Sequence, residues 1–226
     1  MNEYPHYVLS IFFIVLFGVI ILFSLGYYIF WKYFIDYKKN KQGFLFENWI
    51  NKKIKKIVDK KTFIFSEGGI YSYDNKKYEL DGFLVSDSMI VVCEYKLYNG
   101  ILSGNARNEK IFLSLGKKRK IKVKNPIFQN ENNIKHVLKM LKKNIPYASL
   151  VVLPQNTKIE INDVPEHVLL VNVNNLEQTI NKLIESSQTL PKIINNEDVK
   201  NLFNAMKIKT TSEKIKFKNM LKRKGK

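Results

Sequence analysis

Asp81, Glu94 and Lys96 have the types and spacing for chemistry on an anion or a metal. They lie in residues 78–100, Y-E-L-D-G-F-L-V-S-D-S-M-I-V-V-C-E-Y-K-L-Y-N-G. The pattern predicts two apolar strands, residues 78–86 and 89–97, around the tight turn Asp87-Ser88. A two-residue loop sets Ser86 opposite Met89 and, counting outward, Asp81 opposite Glu94. Directly opposed residues share a face, with Cβ atoms about 4.5–5.5 Å apart. Phe83, Val85, Ile90 and Val92 share that face, so it is expected to be buried, and Lys96 falls two residues beyond Glu94 on it. Two opposed carboxylates on an apolar face disfavour folding unless something compensates them. The candidates are a shared proton, the Lys96 ammonium or a divalent cation, and oxygen-only ligands suit Mg²⁺ or Mn²⁺. The competing reading is an ordinary hairpin with a Glu94–Lys96 surface pair.

The elements that must position these residues follow from periodicity. Residues 43–60 read as a helix with Ile50, Ile54 and Ile57 on one stripe, and Glu47 falls on the same stripe. Residues 62–73 are strand-like, interrupted at Gly68-Gly69. Beyond Gly100, strands are expected at 101–103, 110–115, 149–153 and 168–171, with a polar connection over 154–166. Asn125 and Pro126 signal a helix start. That helix runs to about residue 144, with Ile127, Ile134, Leu138 and Leu141 inward and Gln129, Asn133 and His136 on another face. Two further helices are expected over 174–186 and 195–206. Cys93 points away from the Glu94 face and reads as core. Lys117, Lys118, Arg119, Lys120, Lys122 and Lys124 form a dense basic run, read as a loop suited to phosphates.

The chain has 226 residues, with 38 Lys and Arg against 20 Asp and Glu, a formal net charge of +18. That excess favours anionic partners, nucleic acid or a phospholipid surface. A single cysteine excludes an intrachain disulfide and a cysteine zinc site. There is no Gly-rich phosphate loop and no G-x-S-x-G, and the three histidines are scattered. Residues 7–31 carry no charge and are long enough to span a bilayer. No basic residue precedes them and no small-residue cleavage site follows, unlike a signal peptide. Lys32, Lys38, Lys39 and Lys41 follow, which by the positive-inside rule leaves residues 1–6 outside and the rest in the cytoplasm. Residues 32–41 read as a basic linker and 187–206 as a helical extension. Residues 207–226, with nine basic residues and one acid, read as a disordered or surface-bound basic tail suited to anionic lipid.

Asp followed by Glu-x-Lys on the next strand is the arrangement of the PD-(D/E)xK nucleases. More specifically, G-F-L-F-E (43–47), Y-E-L-D-G-F-L-V-S (78–86), I-V-V-C-E-Y-K-L-Y-N-G (90–100) and N-P-I-F-Q-N-E-N-N (125–133) together resemble the NERD, or nuclease-related, domain over roughly residues 42–186. The resemblance implies an α/β fold, a mixed sheet flanked by helices with a restriction-endonuclease-like core. It implies metal binding by Glu47, Asp81 and Glu94, with Lys96 and Gln129 completing a catalytic set that cleaves nucleic-acid phosphodiesters with Mg²⁺ or Mn²⁺. Gly82 stands where a His often follows the Asp, and a Trp common after the E-x-K segment is missing. The alternative is a non-catalytic module that tethers nucleic acid or a partner at the membrane.

Overall fold

A computed structural model of the protein describes residues 4–59, 62–116 and 119–224. The chain divides into two units, Met1–Leu45 and Phe46–Lys226. The first unit is helical. Helix α1 spans Tyr4–Val58 and so continues into the second unit. Residues 32–41, read from sequence as a linker, are helical too: no proline or capping signal stops the helix there. The described side chains from Leu9 to Ile35 are all exposed. Among the described residues this is the one helix long and apolar enough to cross a membrane.

The second unit is built on two mixed sheets. Strands β1 (Ile64–Tyr73), β2 (Lys76–Val85) and β3 (Ile90–Tyr95) run antiparallel, and the register Val85↔Ile90, Phe83↔Val92 and Gly82↔Cys93 is the one that the Asp87-Ser88 turn dictates. The turn is closed by Ser86 N–H to Met89 O at 3.0 Å, and the buried Ser86 hydroxyl accepts the N–H groups of Ser88 and Met89. Strands β4 (Ile101–Asn105), β5 (Lys110–Leu115) and β6 (Arg119–Lys124) follow. Helix α2 (Pro126–Leu141) is capped by the Asn125 side chain, as Asn-Pro predicted. Then come β7 (Tyr147–Leu153), β8 (Lys158–Asn162), β9 (Val168–Asn172) and helices α3 (Leu176–Thr189), α4 (Asn196–Met206) and α5 (Thr211–Lys224). The large sheet has the order β1-β2-β3-β7-β9, the small one β6-β5-β4-β8.

Helices cover both faces of the large sheet. Leu84, Val91, Cys93 and Tyr95 pack with Ile50, Ile54 and Ile57 of α1 and Leu176, Ile180 and Leu183 of α3. On the other face, Phe83, Val85, Ile90 and Val92 pack with Ile134, Val137 and Met140 of α2 and Val199 and Phe203 of α4. Both burials follow from alternation along the strands. The second cluster is the apolar face expected to hold the two carboxylates.

Several elements differ from the sequence expectation. Strand β1 continues through Gly68-Gly69, but its pairing with β2 skips the step between Gly68 and Asp81. A Cβ on Gly68 would sit 2.1 Å from Leu80 O and 2.3 Å from Asp81 O, so glycine here lets β1 press onto the backbone of Asp81. The basic run is a strand, not a loop: Lys120, Lys122 and Lys124 alternate with Ile121 and Val123 along β6. Lys117 and Lys118 lie outside the described residues. The connection expected over 154–166 contains β8. Residues 211–224 form α5, and Ile208 and Phe217 are buried against Ile70, so the basic tail is partly folded. Ile208 N–H bonds Ile70 O at 2.8 Å, and Lys207 bridges to Tyr71.

Candidate active site

The site forms where β2 and β3 diverge. The β2–β3 ladder ends at Gly82↔Cys93, one residue short of Asp81 and Glu94. There the Asp81 side chain takes over from the backbone, its Oδ2 accepting the Tyr95 N–H at 2.7 Å. This bond fixes the Asp81 carboxylate at the end of β3, with Gly68 letting β1 close in behind it.

Glu94 has no solvent exposure. Its Oε1 lies 2.5 Å from Lys96 Nζ, and its Oε2 lies 3.5 Å from Asn133 Nδ2 on α2. Lys96 is partly open, with 24% of its side chain exposed, so the ammonium is the edge through which the buried carboxylate communicates with solvent. The Lys96 N–H bonds Val152 O at 3.1 Å, which keeps the residue in line with β7 beyond the end of β3.

Electrostatics tie these groups together. Burial pushes the Glu94 carboxyl up to about 8, and the Asp81 charge pushes the same way; Lys96 opposes them and Glu47 adds to them. Asp81 is also raised, by burial first, against the pull of Lys96 and the Tyr95 N–H. For Lys96, burial lowers the pKa, but Glu94 and Asp81 outweigh it and the net shift is upward. Lys96 is therefore a persistent cation. Asp81 and Glu94 thus share the Lys96 ammonium, and the Glu47 charge acts on Glu94 as well.

The structure thus brings together Asp81, Glu94 and Lys96, and sets Glu47 close enough for its charge to act on Glu94 and Tyr95. Gln129 is half-buried in the first turn of α2; its side chain makes no hydrogen bond to Asp81, Glu94 or Lys96 among the described residues. One turn on, Asn133 is the α2 residue that reaches Glu94. The i, i+4 spacing from Gln129 marks it in the sequence, but only the docking of α2 on β3 shows which of the two touches the carboxylate. That docking is fixed by Asn130, fully buried, whose Nδ2 donates to Val92 O and Ser149 Oγ at 2.8 Å each. Tyr98 is a further unanticipated neighbour. Burial raises its pKa, with Lys96 lowering it and Glu94 raising it, and its hydroxyl donates to Lys124 O at 3.0 Å. Cys93 is fully buried on the opposite face and its thiol is pushed up to about 12 by burial, which fits packing and not nucleophilic chemistry.

Gly82 has a local reason. A Cβ there would lie 2.7 Å from the Tyr95 hydroxyl and 3.2 Å from the Phe65 ring. The space beside Asp81 is filled by a buried tyrosine from the next strand.

Among the described residues, no three His, Cys, Asp or Glu side chains group tightly enough to enclose a metal ion. Two carboxylates with an all-oxygen donor set still suit Mg²⁺, which keeps several waters and commonly takes one or two protein carboxylates plus phosphate oxygens. The Asp81 charge raises the tendency of Glu94 to hold a proton, and a cation between them would favour the ionised form of both.

A two-sheet α/β unit with Asp, Glu-x-Lys and a following helix at one strand end is the frame of a nuclease-like domain. The family model described as nuclease-related domain, NERD, matches residues 42–154, half of the chain, and the protein belongs to this family. No curated protein and no solved structure matches the chain. The matched segment holds all of the site residues; β8, β9 and α3 lie beyond it, with β9 completing the large sheet beside β7.

Proposed function

We propose that the chain is a membrane-anchored, Mg²⁺- or Mn²⁺-dependent nuclease that cleaves nucleic-acid phosphodiesters at the cytoplasmic face. The supporting observation is the pair of carboxylates at the end of β3: Asp81 and Glu94 act on each other beside Lys96, and burial with the Asp81 charge pushes the Glu94 carboxyl up to about 8. A divalent cation bound by Asp81 and Glu94, with Glu47 nearby, would favour the ionised form of both. When bound, such an ion supplies a Lewis acid for the phosphate and a bound water of lowered pKa.

The protein's own residues carry the rest. Asp81 is held through Oδ2 by the Tyr95 N–H, which leaves Oδ1 as the oxygen for a cation. Asn133 orients Glu94 from the α2 side. Lys96 stays protonated, so it acts as a fixed positive charge for the developing charge on phosphorus, and not as a base. Gln129 stands in the first turn of α2, where it would position water or the nucleic acid. The basic residues Arg119, Lys120, Lys122 and Lys124 would contact phosphates without reading sequence, with Lys117 and Lys118 in the same run.

The apolar stretch of α1 is the membrane anchor in this reading, and the positive-inside rule applied to Lys32, Lys38, Lys39 and Lys41 supports a cytoplasmic second unit. The basic α5 adds electrostatic attraction to anionic lipid.

The test is hydrolysis of end-labelled DNA and RNA oligonucleotides by the full chain in detergent, with Mg²⁺, Mn²⁺ or EDTA. Cleavage that needs the ion and disappears in Glu94→Gln and Lys96→Met is the expected result. Cleavage that persists in EDTA, or in Glu94→Gln, would remove the reading.

A further inference from the structure

We propose that the outer face of the β6-β5-β4-β8 sheet is a binding platform for single-stranded nucleic acid, with Phe112 stacking on a base and Lys110, Lys120, Lys122 and Lys124 holding phosphates. The inference rests on the reading that nucleic acid is the substrate, and it names the strand form and the surface.

The sheet register assembles the face. Ser114 lies opposite Lys120, Phe112 opposite Lys122, and Lys110 opposite Lys124. Opposed residues point the same way, so these six form one surface. The intervening residues Ile111, Leu113, Ile121 and Val123 turn inward to an apolar cluster with Leu102 and Leu153. Among the described residues no helix covers the outer side: Lys110, Lys120, Lys122 and Lys124 are all exposed, and so is Phe112 at 36%.

The charge pattern is not that of an ordinary solvated face, which intersperses both signs. Among the described residues, the acid within the strands of this face is Glu160, already paired with Lys158 at 2.7 Å, and Asp163 just beyond β8 accepts from Asn105. Among the described residues no carboxylate lies within ion-pair distance of Lys110, Lys120, Lys122 or Lys124. Lys110 and Lys124 are directly opposed like charges, an arrangement that works against the sheet. A polyanion would convert that repulsion into attraction.

Phe112 decides the strand form. It stands in the middle of the lysines, with Lys120 Nζ 4.5 Å and Lys122 Nζ 5.7 Å from its ring centroid. Both cations are on flexible stems and can leave the ring for phosphates, because an exposed cation–π contact is weaker than a base stacked on an aromatic ring. Inside a duplex both faces of each base are covered by neighbours, so only an unpaired, unstacked base can lie on Phe112. Lys120, Lys122 and Lys124 recur every second residue, about 6.6–6.8 Å apart along the strand, a ladder that an extended phosphate backbone can follow. The ladder ends beside the site. The Tyr98 hydroxyl holds Lys124 O at 3.0 Å, and Tyr98 is two residues from Lys96.

Binding is measured by fluorescence anisotropy with the full chain in detergent, in EDTA and on the Glu94→Gln background, using a labelled oligothymidine and a duplex of the same length. Phe112→Leu keeps the apolar bulk and removes the stacking ring. It is expected to weaken single-strand binding on the order of tenfold and to leave duplex binding nearly unchanged. Lys120→Gln with Lys122→Gln, at exposed positions that do not touch the core, is expected to weaken both and to lower the slope of log affinity against log salt by about 1–2. Equal losses on duplex and single strand in Phe112→Leu, or none on either, would overturn the platform. So would binding of water-soluble dihexanoyl phosphatidylserine that needs the two lysines while oligothymidine binding does not, which would assign the face to lipid headgroups. Hydrolysis plays no part in this assay. Binding without turnover by the wild type would therefore sink the nuclease reading alone, and turnover with unchanged Phe112→Leu binding would sink the platform alone.

Discussion

Lys96 Nζ lies 2.5 Å from Oε1 of Glu94, and Glu94 is the one of the two that water does not reach. Asp81 shares that ammonium and raises the same carboxyl, so Glu94 is only partly compensated. Divalent metal is therefore expected to stabilise the folded chain. Ligand binding to the native state alone adds about 2.7 kcal/mol at a hundredfold excess over Kd. Thermal melting with and without Mn²⁺ is expected to show this shift in wild type, to lose it in Asp81→Asn and Glu94→Gln, and to keep most of it in Lys96→Met, which should nevertheless be inactive. An unshifted wild type, or a full shift in Asp81→Asn, would show that the two carboxylates do not share an ion.

The pH dependence of the metal-free protein follows from the same carboxylate. Glu94 titrates near 8 in the folded state against an ordinary 4.5. Between those values the native state holds a proton that the unfolded chain has lost. Stability is then highest below the lower value and falls as pH rises through the window, by at most about 1.4 kcal/mol per pH unit for one proton. Asp81, also raised, acts in the same direction. Urea melts in EDTA at pH 5, 6, 7 and 8 are expected to decline steadily for wild type and to flatten for Glu94→Gln. A wild-type profile that rises over this range would contradict the burial-dominated shift.

Much of this site was legible in the chain because side-chain alternation and a two-residue turn leave one register open. Phe83 opposite Val92, and Asp81 one step from the last paired residues, follow from Ser86 facing Met89. The resemblance of four short segments to the NERD family is matched by the family model over residues 42–154. What was not legible depends on long-range packing. Gly68 looks like a strand breaker until β1 is seen pressed on the Asp81 carbonyl. Asn133 and Gln129 are equivalent on a helical face until α2 docks through Asn130. The basic run hid a strand because its lysines mask the alternation of Ile121 and Val123, whose burial depends on packing with β5 and Leu153. The C-terminal residues look solvated by composition, yet two apolar side chains among them are enough to dock a helix on β1.

That docking gives a prediction opposite to the one a disordered tail would give. Ile208 and Phe217 are 7% and 4% exposed, packed on Ile70. Deleting residues 207–226 uncovers Ile70 and removes both, and should lower stability by about 3–6 kcal/mol at about 1.5–3 kcal/mol for each of the two buried apolar side chains. Phe217→Ala alone should reproduce a large part of the loss. Truncation without any change in melting temperature would mean that α5 does not contribute to the fold.

Gly82 offers the most local test of how Asp81 is held. The Tyr95 hydroxyl occupies the position where a side chain at 82 would begin, 2.7 Å from an ideal Cβ, with Phe65 3.2 Å away. Tyr95 is buried and its backbone N–H is the partner of Asp81, so the ring cannot retreat without disturbing that bond. Gly82→Ala is thus expected to cost about 1–3 kcal/mol, the range for overpacking a filled core, and to weaken the Mn²⁺-induced shift as the Tyr95–Asp81 contact is displaced. Removing the hydroxyl with Tyr95→Phe opens the space. The double variant Gly82→Ala with Tyr95→Phe should then recover most of both losses, so the two changes are non-additive by about 1 kcal/mol or more. Melting curves of the four proteins, each with and without Mn²⁺, read out both effects. Strictly additive losses would show that Gly82 and Tyr95 do not compete for the same space.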